Sequence, residues 1–500
     1  MDNDTLFPCS PSPVSEEKKK RNPRLRKIDR RQMVLHPVEI ERLIPEDHEA
    51  RAIWEIVGSL DLSSYYDHVD AREGQAGAPA FDPRLLVSLW IYSYSKGIGS
   101  SREIARRSEY DPAYQWLTGM RPVNYHTLAD FRSAHGESIR SLFIQVLGIL
   151  SYEGLITMER VMHDGTKIKA SAGDSTFRRE KTLKEHLAQA EAQVKVLEQS
   201  EEEMTPRIRK AKERAVRERK ERLSRALDEL AKVAVKKKDT ERRVSTTDPE
   251  SRIMNSGGDL CPCYNLQVST DAHEKAIVGL SLSPSPNDHN LVEPALTTLE
   301  KIAGCLPGQI VVDGGFTTRS DILAAKERGV DFIGSMPDAA LSPIIQLRTR
   351  GITDEFFPDK FLLDPERNCL ICPEGKHLPY RQKRKAKGKT IYHYQCREHA
   401  CPSKPSCCPQ SKRGRNVSRT ENDPEITAFL QKMETPEAKA IYKKRSEVAE
   451  FPNAWIKDKF KLRQFHLRGR IKAETEAFWA CLTYNIKLWI RLCWRPRLAV

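Results

Sequence analysis

Three acidic residues sit in settings that suit metal-dependent chemistry. The run Val161–Lys169 (VMHDGTKIK) is β-branched and apolar and carries Asp164 to the end of an expected strand. Gly165 follows directly and permits a tight backbone there. A second strand-like run, Ile310-Val311-Val312, delivers Asp313, followed by Gly314 and Gly315. Far downstream a helix-like segment carries Glu450. Two aspartates at strand ends and a glutamate on a late helix can converge on divalent metal. Mg²⁺ takes hard oxygen ligands and usually keeps several waters, so few carboxylates are enough. His163, beside Asp164, would either orient a substrate or simply be packed.

A second cluster is made of cysteines. Cys369 and Cys372 are followed by Cys396 and Cys401, then by Cys407 and Cys408. Zn²⁺ takes four thiolate or imidazole ligands, and a first pair two residues apart is standard for a structural site. The spacing suggests a zinc ribbon on Cys369, Cys372, Cys396 and Cys401. The fourth ligand stays open among Cys401, Cys407, Cys408, His377 and His399, and the alternative is a small insertion with reduced thiols. The basic stretch 381–389 between the pairs suits a phosphate backbone or a solvated loop.

These residues need elements to position them. A chain of 500 residues implies roughly two to four domains at ~150 residues each. Its formal net charge of +14 favours a polyanionic partner and says nothing about fold. No apolar run approaches the ~20 residues needed to span a bilayer, and no signal peptide is apparent. The expectation is a cytoplasmic protein whose cysteines are free or metal-bound.

Residues 1–35 read as a basic disordered tail. Residues 36–158 read as a helical domain. Asp82-Pro83 starts one helix as N-cap and first helical residue. Ser100 and Glu103 form a capping box for a second helix, and Asn124 caps a third. This punctuation is that of a helix-turn-helix arrangement or of a plain bundle. Arg102, Arg106, Arg107, Arg121 and Arg132 tilt it toward DNA.

Beyond Asp164 the chain becomes strongly charged across 175–245. Leu183, Leu187, Ala190, Val194 and Leu197 form a heptad seam, and Val216, Leu223, Leu227, Leu230 and Ala234 resume it after Pro206. An inserted antiparallel helical hairpin follows. Strand signals return at Tyr264–Val268 and Ile277–Leu282, which look like a hairpin. Asn290 and Glu293 suggest a capping box for the next helix. Then come the Asp313 strand, a helix over Ser320–Arg328, and a short strand at 331–333. The order indicates an α/β fold, an α+β mixed sheet flanked by helices.

This order resembles the ribonuclease-H-like core of DDE transposases from bacterial insertion sequences. HDGTKIKA looks like that family's first-aspartate strand and VVDGGF like its second. SSREIARR and HTLADFR look like stretches of its DNA-binding domain. The resemblance covers about residues 35–490. It implies a catalytic core over 159–337 and 436–495, with a cysteine-rich insertion over 338–435. The family signature also has Tyr, Arg, Glu and Lys at set intervals, met here by Tyr442, Arg445, Glu450 and Lys457. Four residues rather than three separate Arg445 from Glu450, which turns them roughly 140° apart instead of about 40°. Glu447 competes with Glu450, but only Glu450 has a lysine seven residues on.

The resemblance implies a transposase that binds terminal inverted repeats and catalyses Mg²⁺- or Mn²⁺-dependent DNA cleavage and strand transfer, working as a dimer or larger. Asp164, Asp313 and Glu450 would be catalytic and hold two ions ~3.5–4 Å apart, Asp164 bridging them. Lys457, Arg445 and Tyr442 would hold phosphates. The alternatives are an inactive DNA-binding relic, or a nuclease on the same fold that cuts without joining. In the C-terminal stretch, the stripe Ile471, Phe478, Leu482, Ile486, Trp489 and Cys493 reads as core packing.

Overall fold

The computed structural model describes residues 37–69, 71, 78–199, 206–233, 242–336, 347–386, 389–396, 401–420 and 423–498. The basic tail and Ala234 of the expected seam lie outside them.

The strand bearing Asp164 runs through the middle of a six-stranded mixed sheet. β1 (Arg160–Lys169) pairs antiparallel with β5 (Asp259–Asp271) on one edge and parallel with β7 (Gln309–Val312) on the other. Both β4 (Arg252–Ser256) and β6 (Ile277–Ser283) pair with the far edge of β5, and β8 (Asp331–Gly334) continues the sheet parallel to β7. Helices α10 (Val292–Ala303) and α11 (Arg319–Glu327) connect β6 to β7 and β7 to β8. The mixed α/β architecture matches the sequence reading.

Asp164 does not end its strand. β5 runs beside β1 as far as Lys169, opposite Cys263, so the ladder continues five residues past the acid. The expected box of Asn290 and Glu293 does not form either. Asp321 from α11 accepts from the N–H groups of Asn290 (3.0 Å) and Val292 (3.2 Å) instead.

The N-terminal helices follow their caps closely. Asp82 caps α3 (Pro83–Ser95), Ser100 caps α4 (Ser101–Arg107), Asp111 caps α5 (Pro112–Thr118) and Asn124 caps α6 (Tyr125–Ala134). After α7 (Gly136–Tyr152) the chain enters β1. These helices share one core with the sheet. The joining element is α16 (Arg470–Trp489), which packs against α3, α7 and β6 and is buried almost throughout. Trp479 on it lies 6.4 Å from Trp90 of α3, ring centre to ring centre. Phe478, Leu482, Ile486 and Trp489 are core residues as expected, whereas Ile471 in the first turn is 72% exposed.

The charged insertion forms two helices, α8 (Glu180–Gln199) and α9 (Pro206–Lys232), which pack on each other above the short pair β2 (Phe177–Arg178) and β3 (Val244–Ser245). Leu183, Ala190, Leu223 and Leu230 meet in its seam, with Ala226 and Val244. The cysteine-rich segment has its own five-stranded antiparallel sheet, β9 (Leu362–Asp364) to β13 (Asn416–Thr420). That sheet has a separate small core around Phe357, Phe361 and Leu370.

No helix among the described residues is long and apolar enough to cross a membrane.

Candidate functional site

The site is built on a small apolar cluster separate from the main core. Met162, Val311, Val448 and Ala449 meet in it. Side chains two apart on a strand share a face. Asp164 therefore follows Met162 on that face, and Asp313 follows Val311. Glu450 directly follows Ala449 on α15 (Arg445–Ala454). Each acid adjoins a residue of the same cluster.

Asp313 acts directly on Asp164. Burial, reinforced by the negative charge of Asp313, pushes the Asp164 carboxyl up to about 6. The positive charge of Arg445 and the Gly165 N–H, 2.9 Å from Oδ1, act in the opposite sense. Oδ2 accepts a hydrogen bond from Asn453 Nδ2 at 3.2 Å. Asp313 Oδ1 accepts from the N–H groups of Gly315 (2.8 Å) and Phe316 (3.2 Å), which fixes the turn after β7.

The helix-like segment expected around Glu450 is broken into pieces. α14 (Pro436–Lys443), capped by Thr435, ends at Lys444, and α15 starts at Arg445. Pro452 inside α15 has no N–H to give the carbonyl four residues back, and the next residues, Trp455–Lys459, form a π-helical turn. Such turns recur at functional sites. Asn453, three residues past Glu450, lies on a neighbouring part of the same helix face and reaches Asp164. Glu450 is exposed. Glu447 points elsewhere and pairs with Lys275 at 3.2 Å.

Lys457 lies in the π-helical turn. Burial holds its ammonium below the ordinary lysine value, and the charges of Asp164 and Lys167 both reach it. Arg445 also stands within electrostatic reach of Asp164, with its guanidinium 5.9 Å from the Tyr442 ring centre. The added residue between Arg445 and Glu450 therefore does not carry the arginine away from the first aspartate.

Behind β1 lies a network that the sequence reading missed. Asp288, on the loop between β6 and α10, accepts from Asn265 Nδ2 (2.6 Å), Gln267 Nε2 (3.1 Å) and Lys167 Nζ (3.3 Å). With the Gln267 amide so oriented, its Oε1 accepts from His163 Nε2 at 2.9 Å. The other ring nitrogen, Nδ1, then accepts from Ser269 Oγ at 2.8 Å. Burial depresses the His163 imidazole to about 4, so the ring is neutral. His163 is thus a packed histidine. The available signal was the spacing Asn265, Gln267, Ser269: a polar row on a strand flanked on both edges, which must find partners when buried.

The expected DNA-contacting arginines divide. Arg102 and Arg106 of α4 are exposed. Arg102 lies over the Tyr125 ring at 5.3 Å, and Arg106 pairs with Glu103 at 2.8 Å. Arg107 is held between Glu103 (2.8 Å) and Asp111 (3.5 Å). Arg132 is buried. Its guanidinium stacks 4.6 Å from the Trp90 ring centre and donates to Gly99 O at 2.6 Å, with Glu476 at 3.8 Å. Those internal partners take it away from any phosphate, which corrects the sequence reading.

In the cysteine-rich segment, Cys369 Sγ faces His377 Nδ1 at 3.3 Å across the β10 (Cys369–Ile371) and β11 (His377–Ala386) ladder. Cys372, Cys396, Cys401, Cys407 and Cys408 instead border one small cavity of about 30 Å³. Among the described residues, no three His, Cys, Asp or Glu side chains converge closely enough to hold a metal ion as placed, here or at the acids.

Two transposase families match this chain. The family described as "Transposase domain (DUF772)" matches residues 38–134, the helices through α6. The family described as "Transposase DDE domain" matches residues 371–490, which include Glu450 and Lys457 but neither aspartate. No curated protein gives a significant match. Together the two family matches support a DDE transposase of the insertion-sequence type.

Proposed function

We propose that the chain binds the terminal inverted repeats of its element and catalyses divalent-metal-dependent DNA cleavage followed by strand transfer. The observation that carries this is the closeness of Asp164 to Asp313, each next in the chain after the paired residues His163 of β1 and Val312 of β7, with the Glu450 helix tied to Asp164 through Asn453. The strand order β6–β5–β1–β7–β8 further supports a ribonuclease-H-like core.

The donor set suits Mg²⁺ or Mn²⁺. Two carboxylates repel each other in a partly buried setting, and the buried Oδ1 of Asn453 has no hydrogen-bond partner among the described residues. Asp164, Asp313 and Glu450 would hold the ions. When bound, such ions activate the entering oxygen and stabilise the leaving one in an in-line displacement at phosphorus. Asn453 orients the Asp164 carboxylate. Lys457 and Arg445 offer positive charge to the scissile phosphate, with Tyr442 beside them. Arg102 and Arg106, the exposed arginines of α4, would meet the DNA backbone, Arg106 from beside its partner Glu103. The same reading has the protein acting on paired ends as a dimer or larger. The thiols of the cysteine-rich segment would hold a structural zinc.

The test uses purified protein, Mg²⁺ or Mn²⁺, and the inverted repeats flanking the gene. Nicked and joined products are expected. Asp164→Asn, Asp313→Asn and Glu450→Gln should each abolish both while leaving end binding intact. Binding without cutting by the unmodified protein would favour an inactive relic, and cutting without joining would favour a nuclease.

A further inference from the structure

The polar network behind β1 leads to the second aspartate. Asp288 Oδ1 holds the Gln267 amide, Gln267 Oε1 holds His163 Nε2, and Ser269 fixes the other ring nitrogen. The His163 ring then meets Phe316 edge-on, with ring centres 5.0 Å apart and planes at 76°. Phe316 is fully buried, and its N–H, together with that of Gly315, holds Asp313 Oδ1. Asp288 and Asp313 also flank one glycine. A Cβ on Gly315 would stand 3.1 Å from Asp313 Oδ1 and 3.8 Å from Asp288 Oδ2. The two segments share a further anchor in α11. Asp321 accepts from the N–H groups of Asn290 and Val292, just past Asp288, and from the hydroxyl of Thr318, at the end of the Asp313 turn.

A loop that only joined β6 to α10 would need none of this. Asp288 Oδ1 takes three donors, from Asn265, Gln267 and Lys167, although the side chain is only 19% exposed. A polar network in such a setting rigidifies its members when each is satisfied. An oxygen so committed anchors its neighbours and is poorly placed to hold an ion itself. Lys167 balances its charge.

We infer that Asp288 is a positioning residue for the Asp313 carboxylate. Successive side chains on β1 point to opposite faces of the sheet, so His163 stands on the face away from Asp164. From that face Asp288 fixes Gln267, Gln267 fixes His163, and the His163 ring props Phe316. The turn after β7 then presents the Asp313 carboxylate in one orientation. The inference rests on the proposed role of Asp313 as a metal ligand.

Two measurements on the full chain test it. One is Mn²⁺ binding, followed by its electron paramagnetic resonance signal. The other is amide hydrogen exchange, which reports local opening segment by segment. Asp313→Asn should lower the Mn²⁺ affinity, which assigns the signal to the acids. Asp288→Ala leaves the Gln267 amide without its acceptor. It should weaken Mn²⁺ binding about tenfold, the lower end of what losing the support of a metal ligand costs. It should also speed exchange in the peptide holding Gly315 and Phe316, while α3 and α7 stay as protected as before. Asp288→Asn keeps an oxygen for that amide and should restore most of both. Should Asp288→Ala fail to fold, Ser269→Ala, which removes the other hold on the His163 ring, is expected to move both readouts in the same direction. Unchanged Mn²⁺ affinity in the folded variant, or exchange that quickens evenly along the chain, overturns the inference and leaves the transposase reading standing. Neither readout depends on cleavage, so an unmodified protein that binds Mn²⁺ but never cuts sinks the transposase reading alone. Mn²⁺ binding that is absent, or indifferent to Asp313→Asn, overturns both.

Discussion

Asn453 Nδ2 donates to Asp164 Oδ2 at 3.2 Å, joining residues 289 positions apart in the chain. This single bond ties the helix of Glu450 to the central strand of the sheet. The amide's other atom, Oδ1, is buried without a partner among the described residues, so truncating the side chain also removes an unsatisfied acceptor. Asn453→Ala should therefore leave stability nearly unchanged. Carboxylates that hold metal depend on neighbours that orient them, and losing one typically costs about 10–100-fold in metal affinity or activity. The Mg²⁺ concentration for half-maximal cleavage should rise by that factor, with end binding unaltered, in a metal titration of cleavage rate.

The raised carboxyl of Asp164 sets a pH dependence whose sign can be worked out. Unfolded, the group titrates near its ordinary value of 3.8; folded, burial and Asp313 move it up to about 6. Between those values the folded protein binds the proton more tightly, so this group's contribution to stability declines as pH rises from about 4 to about 6. A two-unit shift corresponds to at most about 3 kcal/mol. Asp164→Asn should accordingly raise the urea midpoint at pH 7 without metal and change it little at pH 4. Mg²⁺ should stabilise the unmodified protein at pH 7 and not the variant. Cleavage, which needs the ionised carboxylate, should fall as pH drops through about 6, and high Mg²⁺ should move that fall to lower pH.

How far the sequence disclosed this arrangement depended on the range of the force involved. Local signals were legible. Asp82, Ser100 and Asn124 cap the helices expected of them because a cap is decided within three residues. The strands of Asp164 and Asp313 followed from short apolar, β-branched runs, and the hairpin between them from hydrophobic alternation. Long-range choices were hidden. Nothing near Asn290 announces that Asp321, thirty-one residues on, supplies its cap. Arg132 looked like a DNA contact because it belongs to a helical segment that also carries Arg102, Arg106, Arg107 and Arg121, yet Trp90 and Glu476 claim it from other elements. Asp288 sits in a loop of serines and prolines that reads as punctuation. Only the folded sheet reveals that it closes over a polar row of β5.

The cysteine-rich segment makes a compositional prediction. Five thiols border one cavity, and burial pushes Cys407 up to about 12 and Cys408 upward as well, so these two thiols stay protonated. Zinc binding must displace those protons and draw the sulfurs together. The purified protein should contain zinc in roughly equimolar amount by elemental analysis. Cys372→Ser and Cys396→Ser should each lose it, and strong chelators should make the segment 347–420 sensitive to protease. A metal-free protein whose segment resists protease equally well would leave the thiols as ordinary core residues.

Gly165 was expected to permit a tight backbone at the end of a strand, but it lies inside β1, flanked by paired residues on both sides. Its small size matters for another reason. A Cβ there would stand 2.6 Å from Asp288 Oδ1, 2.6 Å from Gln267 Nε2 and 2.8 Å from Asn265 Oδ1. The three side chains are held together at Asp288 Oδ1, which accepts from Asn265 Nδ2, Gln267 Nε2 and Lys167 Nζ, so they cannot simply swing away. Gly165→Ala should cost about 1–3 kcal/mol, the usual range for overpacking, read from the shift in urea midpoint. Removing the Asp288 carboxylate relieves the nearest clash. The double variant Gly165→Ala with Asp288→Ala should then be more stable than the sum of the single costs predicts, a coupling that a double-mutant cycle measures directly. Strict additivity would mean that the loop bearing Asp288 does not press on β1 in solution.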